Sequence, residues 1–126
     1  MEEQIVVLPG GPGLDADLHL PAGARGIVVF AHGSGSSRRS PRNILVAKEL
    51  QQAGLGTLLF DLLTSQEERR DAVDASLRFD IGFLTDRLTA VVDEVAARPQ
   101  LAGLPVGLFG ASTGAAAALG TAAARP

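Results

Sequence analysis

The chain has 126 residues, 46% hydrophobic and 20% charged, with a formal charge of −3, no cysteine and two histidines. That length suits a single domain, residues 1–126, with its own core; the composition excludes a disulfide scaffold, a thiolate metal site, a cysteine nucleophile and a histidine-rich metal centre. The mild acidity gives nothing that would recruit nucleic acid or an anionic membrane. The start MEEQIVVL lacks the marks of a signal peptide and no apolar run reaches ~18 residues, so the expected compartment is the cytoplasm.

QIVVL (residues 4–8) is a β-branched run stopped by PGGPG, a strand and its turn. In LDADLHL, Leu14, Ala16, Leu18 and Leu20 alternate with Asp15, Asp17 and His19. This period of two predicts an antiparallel strand with one wet face, on which His19 lies. Residues 27–30 of IVVFAHG are apolar without alternation, as in a strand covered on both faces. GSGSSRRS is a glycine-rich polar loop, and Ser40-Pro41 reads as the N-cap and first position of a helix. That helix, PRNILVAKELQQAG, is expected to bury Ile44, Leu45, Ala47 and either Val46 or Leu50, and to stop at Gly54. LGTLLFD is a second buried strand, ending at Asp61. The mixed-charge segment 62–78 reads as a solvated loop or short exposed helix. Leu84, Leu88, Val91, Val92 and Val95 recur at helical spacing. LPVGLFG is a third buried strand, and an alanine-rich helix follows Ser112.

Two strands followed by βαβαβα imply a mostly parallel sheet with helices on both faces. Chemistry in such sheets collects at the carboxyl ends of the strands. Three loops qualify there: after Phe30, after Phe60 and after Phe109. The last is Gly110-Ala111-Ser112-Thr113-Gly114, a G-x-S-x-G that follows a strand and opens a helix. A serine on a sharp strand-to-helix turn needs small residues two before and two after it, so that strand and helix can approach closely. The helix N-terminus behind it favours developing negative charge. Acyl transfer also needs two N–H donors for the oxyanion. Thr113 would supply one and the loop at Gly33-Ser34 the other, with His32 shaping that loop by hydrogen bonding rather than acting as base.

Other readings stay open on the residues alone. Gly33 to Arg38 could cradle a phosphate, with Asp61 on a ribose hydroxyl, although the third glycine of G-x-G-x-x-G is replaced by Arg38. A hydrolase-like fold could serve as a non-catalytic interaction protein. His32 and Asp61 could act as an unusual base and acid for Ser112.

HGSGSSRRSPRN, LLFDLLT, RFDIGFL and GLFGASTGAAAAL, in that order, resemble the α/β-hydrolase superfamily, and within it the dienelactone-hydrolase-like branch. The resemblance implies a three-layer, mostly parallel sheet of eight strands with an antiparallel second strand, of which this chain holds about five. It implies hydrolysis of a small ester-like substrate by a Ser–His–acid triad without cofactor or metal. Ser112 would be the nucleophile, Ser34 and Thr113 the oxyanion hole, and His32, Gly33, Gly110 and Gly114 the residues that shape the loops. Dienelactone hydrolases proper carry cysteine where this chain has Ser112. In this fold the acid and histidine follow the serine in the chain, and residues 113–126 contain neither His, Asp nor Glu. The expectation is therefore a hydrolase cut after its nucleophile helix, weakly active alone. Its strand 106–110 would be open to a second copy or to a C-terminal half.

Overall fold

The computed structural model describes the backbone of residues 2–7, 13–33 and 35–126, with side chains from residue 13 onward. Five strands form one sheet, β1 (Glu2–Val7), β2 (Gly13–His19), β3 (Ile27–Ala31), β4 (Gly56–Phe60) and β5 (Val106–Gly110), in the order β1-β2-β4-β3-β5. β2 runs antiparallel to β1 and β4, while β3 is parallel to both β4 and β5. Four helices connect or follow the later strands: α1 (Pro41–Gln52), α2 (Ser65–Asp74), α3 (Ile81–Ala97) and α4 (Thr113–Ala124).

The alternation in β2 is realised: Leu14, Ala16 and Leu18 are buried, while Asp17 and His19 are half-buried on the other face. β3 feeds two cores by the same period of two. Val29 and Ala31 join Leu88 and Val91 of α3 and Ala117 of α4, whereas Phe30 joins Ala47 of α1 and Leu59 of β4. These two clusters on opposite faces make the three-layer architecture. Phe30 also meets Phe109 across β3 and β5, with ring centroids 5.2 Å apart, a tilted pair contributing about 0.5–1.5 kcal/mol beyond area burial.

Helix ends follow the sequence closely. The Ser40 side chain accepts from the Asn43 N–H, with Pro41 at the first position. The Asp80 side chain accepts from the Phe83 N–H and starts α3. Two expectations need correction, and a third is decided between its two alternatives. Leu45 is 67% exposed, and Asn43 takes a place on the buried face of α1 with Ala47. The segment 62–78 takes the second of its two readings: it contains a short, mostly exposed helix, α2, opened by a capping box in which Thr64 and Glu67 exchange hydrogen bonds, with only Asp71 buried. β5 is not covered on both faces: Val106 and Gly107 are exposed and the rest is half-buried, because β5 is the last strand of the described sheet. Among the described residues no helix is long and apolar enough to cross a membrane.

Candidate active site

The parallel register of β3, β4 and β5 brings the loops after Ala31, Phe60 and Gly110 to one edge of the sheet. Ser112 stands at the tip of the last loop and is exposed. Its φ of 57° and ψ of −126° lie where an L-residue is strained. Serine at a helix N-cap normally turns its hydroxyl onto the helix's own N–H groups. Here the Ser112 side chain makes no capping hydrogen bond, and backbone bonds close the turn instead: Gly114 N–H to Ala111 O at 2.9 Å and Ala115 N–H to Ser112 O at 3.0 Å. The turn thus leaves Ser112 exposed and does not use its hydroxyl as a cap.

The two motif glycines are required by space. A Cβ on Gly110 would lie 2.7 Å from the Cα of Ala115, and one on Gly114 would lie 2.5 Å from the His32 carbonyl oxygen. Both obstacles are backbone, so no rotamer change relieves them. Gly33 runs alongside: a Cβ there would sit 3.2 Å from both the Ala111 oxygen and the Ser112 Cβ. Ser34, the expected second oxyanion donor, lies outside the described residues.

His32 is buried and both its ring nitrogens face backbone groups. Nε2 accepts from the Leu62 N–H at 3.0 Å, which leaves the proton on Nδ1 to be donated to the Gly33 carbonyl at 2.9 Å. Ser36 N–H donates to the same carbonyl at 3.1 Å. Asp61 does not pair with His32. It accepts from the Arg38 backbone N–H at 2.8 Å and from the Arg38 guanidinium at 2.7 Å. Arg38 Nε lies 3.3 Å from Asp17, an ion pair without hydrogen-bond geometry. Burial alone would make Arg38 easier to deprotonate, but Asp61 and Asp17 outweigh it and hold the guanidinium charged.

A cavity of about 280 Å³ opens beside the turn, with His32, Gly33, Thr113, Leu62, Ala72 and Leu84 in its walls. Asp71 and Arg78 also border it. The Asp71 carboxylate accepts from the N–H groups of Leu77 and Arg78 and from Arg78 Nε at 2.8–3.0 Å. Burial would raise its pKa, but these bonds lower it overall. The far side of the cavity is carried by α2, which Arg87 fastens in place. Arg87 donates to both Glu67 oxygens and to the Leu62 carbonyl, each at 2.8 Å, and its guanidinium lies 4.8 Å from the centre of the Phe83 ring. Composition gave no sign of this network. The signal that was present is Thr64-x-x-Glu67 in TSQE, a capping-box pattern that marks a helix start. Among the described residues no group of three or more His, Asp or Glu could hold a metal ion.

A sheet in the order 1-2-4-3-5 with an antiparallel second strand, closed by a strained serine between strand and helix, defines the N-terminal part of an α/β-hydrolase fold. The chain is 55% identical to the dienelactone hydrolase of Anabaena variabilis, superposing with a TM-score of 0.93 over 99% of this chain and 58% of that one. An α/β serine hydrolase homologue from Coxiella burnetii shares the fold at 20% identity, with a TM-score of 0.77 over 98% of this chain and 58% of that one. Two curated Mycobacterium tuberculosis proteins, from strains CDC 1551 and H37Rv, are each 53% identical over 97% of this chain, which spans 27% of their length. Both carry the name "Putative phosphoribosyl transferase". No family model matches. Over nearly its whole length the chain thus has the fold of the N-terminal part of an α/β-hydrolase and is similar in sequence to a dienelactone hydrolase, of which it spans little more than half.

Proposed function

We propose that these residues form the nucleophile-bearing part of a serine hydrolase acting on small carboxylic esters or related acyl compounds. The observation that supports it most is Ser112, held at φ 57° with its hydroxyl directed away from helix capping. In this reading the Ser112 oxygen attacks the acyl carbon and its proton passes to a base. The tetrahedral oxyanion takes hydrogen bonds from the Thr113 N–H at the N-terminus of α4 and from the Ser34 N–H. The alcohol leaves with the proton, and water then releases the acid from the acyl-serine.

The base is neither histidine of the chain. His32 is committed to Leu62 and Gly33, and His19 lies on β2, beyond β3 and β4 from the Ser112 turn. Imidazole and carboxylate therefore come from sequence outside these 126 residues, joined along the open edge of β5. The chain spans little more than half the length of the Anabaena variabilis structure, so the activity belongs to the assembled protein. A phosphate cradle at residues 33–38 fits less well, because Arg38 is closed onto Asp61 and Asp17.

The test is to fuse the chain to the C-terminal remainder of the Anabaena variabilis protein and treat the product with a fluorophosphonate probe. We expect label on Ser112, lost in Ser112→Ala, together with hydrolysis of p-nitrophenyl acetate far above that of the 126-residue chain alone. Label elsewhere, or hydrolysis that survives Ser112→Ala, overturns the proposal.

A further inference from the structure

We infer that α2 is a lid on the cavity, docked by two arginine–carboxylate clamps instead of apolar packing, and that it opens while the sheet stays folded. The lid stands whether or not Ser112 attacks an ester. Helices of a globular domain usually dock by an apolar stripe, and α3 does so, burying Leu84, Leu88, Val91 and Val95. α2 has no such stripe. Its apolar side chains, Ala72 and Val73, are both exposed, Val73 to 88%, and none of its residues joins either core cluster. What it turns inward is a pair of carboxylates four residues apart, the half-buried Glu67 and the buried Asp71. Each is gripped by an arginine from outside the helix. Arg87 of α3 donates to both Glu67 oxygens, each at 2.8 Å. Arg78 donates from Nε to the Asp71 carboxylate at 2.9 Å and from its guanidinium to the Asp71 carbonyl at 3.0 Å.

The helix has 10 residues, too few to persist alone in water, so the clamps decide whether α2 stays in place. An element held this way opens at lower cost than one seated in a core. Its opening breaks the ion pairs but takes no α2 residue out of a core cluster, so the sheet, α3 and α4 keep their packing. Its far end is already a turn, where Ala75 leads the chain out of the helix at φ 55°. Glu68, Asp71 and Ala72 border the same cavity as Leu62, Leu63 and Leu84. Leu62 and Leu84 are only 1% and 3% exposed. Moving α2 away uncovers those leucines and widens the cavity beyond about 280 Å³. The lid therefore sets the size of apolar molecule that the cavity admits.

The chain has no cysteine, so a single introduced thiol reports opening without background. Leu84→Cys places it on the cavity wall. Leu88→Cys, one turn further along α3 and 0% exposed in the core, is the control. The experiment follows alkylation of the folded 126-residue chain by iodoacetamide, read by mass spectrometry at several low urea concentrations. We expect Leu84→Cys to react about tenfold or more faster than Leu88→Cys, with a rate that hardly responds to urea, because local opening exposes little surface. Adding Arg87→Met or Arg78→Met to Leu84→Cys should speed its reaction about tenfold, between the worth of an exposed ion pair and that of a buried one. Amide hydrogen exchange of the unsubstituted chain measures the same opening without any replacement: residues 69–74 of α2 should exchange about tenfold or more faster than residues 85–95 of α3. If the two thiols react alike at every urea concentration, or the two helices exchange alike, α2 opens only with the whole domain and the lid is refuted. If neither arginine replacement changes the Leu84→Cys rate, the clamps do not hold it and the inference falls.

Discussion

Replacing Ser112 by glycine should make the protein more stable while removing the proposed nucleophile. The residue sits at φ 57°, ψ −126°, a region that costs a side-chain-bearing residue about 1–3 kcal/mol. Glycine enters it freely, at an entropic cost in the unfolded chain of about 0.5–1 kcal/mol. No compensating cap is lost, because the Ser112 side chain bonds to none of the α4 N–H groups. The exposed hydroxyl also buries nothing. The balance is a gain of about 1 kcal/mol, which for a domain of this size raises Tm by about 3–5 °C. Ser112→Ala is the matched control: it removes the same oxygen but keeps the strain, so it should unfold within about 0.5 kcal/mol of wild type. Urea titration followed by circular dichroism, with a thermal scan at the same pH, measures both variants. If Ser112→Gly proves less stable than Ser112→Ala, the turn holds no strain, and the chief support for reading it as a nucleophile's turn is lost.

Other expectations follow from the same coordinates. Gly114→Ala drives a Cβ into the carbonyls of Ala31 and His32 and should cost about 1–3 kcal/mol, whereas Gly107→Ala, meeting only the Val28 Cγ2 at 3.6 Å, should be neutral or slightly stabilising; urea midpoints that fail to separate the two would contradict the packing argument. Arg87→Met should cost about 1–2 kcal/mol at pH 7, discounted for the 25% exposure of Glu67. Burial pushes the Glu67 pKa up, but Arg87 and Thr64 together pull it below its ordinary 4.5. Its contribution is therefore present above 4.5 and fades as pH falls through the lowered value, so wild type and Arg87→Met should converge in acid; a gap that stays constant to pH 3 refutes the assignment. Val106→Lys places a charge on the open edge of β5, where Val106 is 37% exposed, and should shift self-association toward monomer in sedimentation equilibrium; an unchanged distribution removes β5 as the contact.

How much of this was legible in the sequence depended on whether the governing interaction was local. The period of two in β2, the Ser40-Pro41 start of α1 and the tight approach at Gly110 are each fixed by neighbours within a few residues, and each reads directly. Leu45 misled because hydrophobicity alone was counted. On a helix, the positions that share a face with the fully buried Ala47 are three and four away, which selects Asn43, Ile44 and Leu50 and leaves Leu45 pointing outward. α2 stayed undecided between loop and helix for the opposite reason. It has no apolar stripe to detect, being held by the Thr64–Glu67 box, the Arg87 fork and the Asp71–Arg78 pair. The partners Arg87 and Arg78 come from beyond the helix, so no window on residues 62–78 could reveal the network whole. β5 carries the composition of a covered strand, but coverage is decided by what lies next to it in the sheet, which its own residues do not specify.

The same distinction separates the two halves of the candidate site. The serine turn is mostly a local device: five consecutive residues suggest its shape, although Gly114 is required by the backbone of Ala31 and His32 rather than by the turn itself. The opposing loop is a long-range one. Gly33 is recognisable as a place where backbone comes close, but the residues around it are bonded from afar: His32 accepts from the Leu62 N–H and Arg38 donates to Asp61, some twenty to thirty positions away. Those bonds recast the two residues that sequence alone offered as base and acid. His32 turns its nitrogens to the backbone and Asp61 its oxygens to Arg38. Groups chosen for reactivity would be left open to exchange protons, whereas these are bonded on every side that the structure describes. Their chemistry is that of fasteners, holding backbone and side chain in place rather than passing protons.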